Sequence, residues 1–160
     1  MTKIKELIDG NDTILVFDMD GVLAKLEFGE YNHYEMDDAK WQAAYEKGEI
    51  FYSEDKVVKR MQRYLATKNM NNIYVLSKAY NENENKDKIH FLTKYYNIKE
   101  ENIYFVQENK DKVNVLSKIK ELHPEVEDYK LAMVEDTVEI LDDIMAKTKF
   151  STIHISSFLD

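Results

Sequence analysis

Cysteine is missing from this 160-residue chain. Its absence removes disulfides, thiolate nucleophiles and cysteine-ligated zinc or iron–sulfur centres, so any metal must be held by oxygen or imidazole. Proline occurs once, at Pro124, and glycine four times, which leaves no Pro/Gly-rich linker, repeat or low-complexity tract. Positive charge is in deficit: 22 basic against 31 acidic side chains give a formal net charge of −9. A nucleic-acid polymer or an anionic membrane surface calls for a clustered basic footprint, so neither is expected as a partner, whereas a small ligand is not excluded. Long hydrophobic runs are lacking too. Charges break every apolar stretch of MTKIKELIDG, from Met1 to Gly10, unlike a signal peptide or an anchor, and no later stretch approaches the length of a bilayer span. A reducing, cytoplasmic setting is expected.

What is present suits one packed domain spanning 1–160. Hydrophobic residues make up 44% of the chain, including 12% aromatics, enough for one sizeable core, and 33% charged residues cover the exterior. Five short apolar runs read as strands: Thr13 to Asp18, Asn72 to Ser77, Asn102 to Gln107, Lys130 to Glu135 and Ser151 to Ser156. Helical stretches near Asn83 to Tyr96, Lys110 to Leu122 and Thr137 to Ala146 alternate with them, the pattern of an α/β fold with a parallel sheet. The interval between the first two strands is too long for a plain crossover. His33 to Lys47 and Glu54 to Thr67 both look helical within it, with Gly48 as a stop. A small helical cap inserted at about 24–52 is expected, followed by a returning crossover helix.

The chemistry-bearing residues stand at the strand ends. Asp18 and Asp20, spaced i, i+2 in Phe17-Asp18-Met19-Asp20-Gly21, lie where open parallel sheets bind ligands. One carboxylate can attack phosphorus beside a divalent cation, and the other can protonate the leaving oxygen and then activate water. Gly21 permits a sharp turn. The same residues also read as a solvated turn, but an EF-hand loop is ruled out because its terminal Glu is missing and the preceding run is strand-like. Ser77 can donate a hydroxyl to a phosphoryl oxygen, although serine after a strand is commonplace. Lys110 and Lys112 offer ammonium groups at a helix start, where lysines are otherwise surface charges. Glu135-Asp136 pairs two acids that suit magnesium or, alternatively, an ordinary helix N-terminus. Asp142 and Asp143 fall within a helix and read as a solvated face. His33, His90, His123 and His154 lack ligand spacing and read as structural or exposed.

Taken together, Asp18-Met19-Asp20-Gly21-Val22-Leu23, Val75-Leu76-Ser77, Asp111-Lys112 and Glu135-Asp136 resemble the four motifs of the haloacid dehalogenase (HAD) superfamily of phosphohydrolases. The resemblance implies a Rossmann-like parallel five-stranded sheet of order 5-4-1-2-3, flanked by helices. It implies Asp18 as nucleophile, Asp20 as acid/base, and Ser77 and Lys112 as phosphoryl binders, with Lys110 competing for the lysine role. Magnesium would be held by the Asp18 carboxylate, the Asp20 backbone carbonyl and Asp136. Within the superfamily the chain is similar to the type-C 5′-nucleotidases, including the 5′(3′)-deoxyribonucleotidases, from which Glu135 departs by replacing an Asp. The substrate expected is a small phosphate monoester. The inserted segment is rich in rings, among them Phe28, Tyr31, Tyr34, Trp41, Tyr45, Phe51 and Tyr52; Phe28, Trp41 and Tyr45 read either as a nucleobase pocket or as the segment's own small core. A sugar phosphatase and a catalytically weak phosphate-binding regulator are the alternative readings.

Overall fold

The computed structural model describes residues 2–159. Strands β1 (Ile14–Phe17), β2 (Ile73–Lys78), β3 (Ile103–Val106), β4 (Leu131–Glu135) and β5 (Ser151–His154) form one sheet. Its order is β3-β2-β1-β4-β5, with every pairing parallel, the expected order read from the opposite edge. All four β1 residues are buried, because a parallel central strand is covered on both faces. Alternate residues therefore enter different cores. Leu15, Phe17, Val75 and Val134 pack on one face with α1 (Lys3–Asp9), α3 (Lys59–Leu65) and α4 (Glu82–Tyr96). Ile14, Val16, Leu76 and Met133 pack on the other with α5 (Lys112–Glu121) and α6 (Val138–Lys147).

The segment between β1 and β2 departs from expectation in detail. Only Asp38–Glu46 forms helix α2, capped by the Asp37 side chain accepting from the Lys40 N–H at 2.8 Å. Upstream, the chain turns instead, with Glu35 Oε1 accepting from the N–H groups of Glu30 and Tyr31. The anticipated helix from Glu54 to Thr67 is broken: a 3₁₀ turn spans Glu54–Lys56, and Val57 is extended and bridges Ala24. With the Lys25 N–H donating to Lys56 O at 2.8 Å, that bridge closes the base of the 24–57 excursion. Its helix docks on α4 through polar contacts, Trp41 Nε1 to Glu84 at 2.8 Å and Tyr45 Oη to Asp87 at 2.7 Å. Helix α1, which was not anticipated, adds Leu7 and Ile8 to the core. Among the described residues no helix is long and apolar enough to cross a membrane.

Candidate active site

The β1 and β4 registers bring the first and fourth motifs together. Phe17 lies opposite Val134, and the Asp18 N–H donates to Val134 O at 2.9 Å, so the chain leaves β1 beside Glu135. Met19 then turns into the core, fully buried, while its carbonyl accepts from the N–H groups of Val22, Leu23 and Ala24. That anchor leaves Asp18 and Asp20 on the site side, which is the physical content of their i, i+2 spacing. Gly21 takes φ +78°, and a Cβ there would stand 2.1 Å from Asp136 Oδ2. The turn and the carboxylate occupy space that only a glycine leaves.

Lys112 opens α5 and is almost fully buried, with Nζ 3.1 Å from Asp18 Oδ1 and 3.0 Å from Glu135 Oε2. Lys110, by contrast, is exposed and pairs with Glu108 at 3.0 Å; of the two lysines, Lys112 is the one in contact with the acids. Glu135 is committed on both oxygens. Oε2 faces Lys112, and Oε1 accepts from the N–H groups of Asp136 at 3.1 Å and Thr137 at 3.4 Å. The longer side chain thus braces the turn into α6. His154, opposite Glu135 on β5, places Nε2 3.2 Å from the Asp136 carbonyl and fixes the same turn from behind.

Burial pushes the Glu135 carboxyl up to about 9, with the neighbouring Asp18 acting in the same direction and Lys112 opposing. Asp18 is also raised, first by burial, against the pull of Lys112 and with a further push from Asp20. Lys112 is raised because Asp18 and Glu135 outweigh the effect of its own burial. One ammonium leaves this acidic cluster short of positive charge. Oxygens of Asp18, Glu135 and Asp136 lie within 4.8 Å of one another, a hard donor set that fits magnesium. With Glu135 engaged, Asp18 and Asp136 are the side chains suited to hold it.

Ser77, at the end of β2, is buried, and its Oγ contacts the Lys78 carbonyl at 3.2 Å. Lys88, which sequence reasoning missed, and Tyr52, which it read only as one of the inserted segment's rings, complete this side. Lys88 Nζ lies 3.0 Å from Ser77 Oγ and 3.1 Å from Asp20 Oδ2, and the Tyr52 hydroxyl donates to Asp20 Oδ1 at 2.5 Å. A cavity of about 570 Å³ opens beside Asp20, with Phe28, Tyr34, Trp41, Tyr52 and Tyr80 among its lining residues. Tyr45 does not line it; that ring is fully buried and bonded to Asp87, and Trp41 stacks on Phe51 at 4.7 Å. Part of the expected aromatic pocket is therefore core.

Fold and site together define a parallel α/β domain carrying an acid–lysine cluster at the carboxyl ends of its strands. No family model matches the chain, and no curated protein does. Among solved structures it is similar to the HAD domain of the effector protein Lem4 from Legionella pneumophila, at 13% identity and a TM-score of 0.46, covering 89% of this chain and 84% of that one. For an inactive mutant of the same domain the identity is 12% and the TM-score 0.47, covering 91% and 86%.

Proposed function

We propose that this chain is a HAD-type, magnesium-dependent phosphomonoesterase that works through an aspartyl-phosphate. The observation that carries the reading is Lys112 bridging Asp18 and Glu135, with Asp136 and Asp20 at the same strand ends. A carboxylate nucleophile attacking a dianion needs compensating charge. Lys112 supplies part of it. A magnesium ion held by Asp18 and Asp136, with the Asp20 backbone carbonyl, would supply the remainder by neutralising phosphoryl oxygens.

Asp18 forms a bond to phosphorus as the bond to the leaving oxygen breaks, and Asp20 gives that oxygen its proton. Water then attacks the phosphorus, loses a proton to Asp20, and breaks the Asp18–phosphate bond to release inorganic phosphate. Ser77 orients the phosphoryl group through its hydroxyl. The cavity beside Asp20, with its aromatic walls, takes the leaving group, and a nucleoside or deoxynucleoside suits its flat rings. The substrate proposed is accordingly a nucleoside monophosphate, as for a 5′-nucleotidase.

A panel of phosphate monoesters, comprising nucleotides, sugar phosphates and 4-nitrophenyl phosphate, assayed with magnesium and with EDTA, tests this. Magnesium-dependent release of phosphate with preference for nucleotides is expected. Preference for sugar phosphates would move the substrate class. Binding of beryllofluoride without turnover of any ester would reject the enzyme reading in favour of a phosphate-binding regulator.

A further inference from the structure

Helix α4 carries a buried lysine to which the chemistry above assigns no task. Lys88 is 1% exposed, and its Nζ lies near four oxygens: Lys78 O at 2.7 Å, Ser77 Oγ at 3.0 Å, Glu84 Oε2 at 3.0 Å and Asp20 Oδ2 at 3.1 Å. An ammonium has three protons for these four acceptors. Lys88 shares the buried stripe of α4 with Phe91 and Leu92, where an apolar side chain would pack without desolvating a charge. Buried ion pairs add little net stability relative to well-packed apolar groups. The placement therefore asks for a role other than holding the fold.

We infer that Lys88 is a positioning residue that fixes Asp20 and Ser77 in their working orientations and links them to the wall of the aromatic cavity. This rests on the phosphatase reading above. Both carboxylate oxygens of Asp20 are held, Oδ2 by Lys88 and Oδ1 by the Tyr52 hydroxyl, so its rotation is restrained at the edge of the cavity that it lines. On Ser77, Lys88 donates into the hydroxyl oxygen. The hydroxyl proton is thereby turned toward Lys78 O, a 3.2 Å contact that a phosphoryl oxygen can replace. Glu84 accepts from Lys88 with one oxygen and from Trp41 Nε1 with the other, at 2.8 Å. Trp41 lines the cavity, and Glu84 and Lys88 connect its ring nitrogen to Asp20 through hydrogen bonds and ion pairs. The two buried lysines thus divide the work: Lys112 serves the nucleophile and Lys88 the acid/base.

The test is pre-steady-state kinetics of Lys88→Met with 4-nitrophenyl phosphate and with an alkyl phosphate, both in magnesium. Nitrophenolate departs without a proton, so transfer to Asp18 survives, while the water step, which needs Asp20 as base, slows. The expected result is a burst of nitrophenolate stoichiometric with enzyme, followed by turnover reduced about 100-fold. With the alkyl phosphate turnover falls at least as far and no burst appears. A purely structural role would diminish burst and turnover together, and that outcome, or kinetics like those of the unsubstituted protein, overturns the inference. If Lys88→Met does not fold, Tyr52→Phe decides, because it removes only the hydroxyl that holds Asp20 Oδ1. A burst with turnover slowed about tenfold supports the network, and unchanged kinetics overturns it. An unsubstituted protein that hydrolyses no ester removes the phosphatase reading itself, and this inference with it.

Discussion

Gly21 and Gly48 offer a controlled pair for the geometry of the proposed metal-binding end of the site. Both adopt φ +78°, so an alanine at either position meets the same backbone penalty, about 1–2 kcal/mol. They differ in what surrounds them. A Cβ at Gly48 meets nothing within 4 Å, whereas one at Gly21 stands 2.1 Å from Asp136 Oδ2 and 2.8 Å from its Cγ. The Asp136 carboxylate must retreat by about 1 Å or more to restore van der Waals separation. A displacement of that size in a reacting constellation costs on the order of 100-fold in rate. Denaturant unfolding without divalent ions should therefore show about 1–2 kcal/mol lost in each variant, with a further loss in Gly21→Ala from the clash. Calorimetric titration with magnesium should separate them, Gly48→Ala matching the unsubstituted protein and Gly21→Ala binding at least about tenfold more weakly. The reasoning fails if Gly21→Ala keeps its metal affinity, or if Gly48→Ala loses as much.

Two further substitutions probe the buried polar groups. Lys112→Met leaves Asp18 and Glu135 buried without the ammonium that bridges them; unfolding should show a loss of about 3–5 kcal/mol, and turnover should collapse even where the fold persists, while stability within about 1 kcal/mol of the parent would contradict a buried acid–lysine bridge. Tyr45→Phe removes the donor to Asp87 Oδ2, which keeps the Phe51 N–H, beside an Oδ1 that has no hydrogen-bond partner among the described residues. Equilibrium unfolding should register about 1–2 kcal/mol with kcat unchanged, and a fall in kcat at constant stability would return Tyr45 to the substrate pocket.

The sheet and its strand ends were legible because short apolar runs bounded by polar residues carry their own period, and because Asp18, Asp20, Ser77, Lys112 and Glu135-Asp136 each follow or precede such a run. Their convergence needed the β1–β4 pairing, which no single run encodes. The excursion was less readable. Its apolar spacing predicts longer helices than form, because composition alone does not reveal that Glu35 ties off a turn or that Val57 bridges Ala24. Tyr45 and Trp41 sit at helical spacing, and the sequence could not say which ring faces a cavity and which Asp87. The largest omission, Lys88, did leave a trace. Glu84 and Lys88 stand i, i+4 on the stripe continued by Phe91 and Leu92, where a solvated ion pair does not belong. A charged pair on a buried helical stripe is the kind of signal from which a second polar network can be read.

The central claim is that Asp18 takes up the phosphoryl group. Rapid acid quench of the protein with magnesium and a turned-over phosphate ester, followed by peptide mass spectrometry, measures this directly. The account predicts one added phosphoryl group on the peptide containing Asp18, absent in Asp18→Asn, which should fold normally and lose turnover. A phosphoryl group on another residue, or Asp18→Asn retaining most of its magnesium-dependent activity, would contradict it.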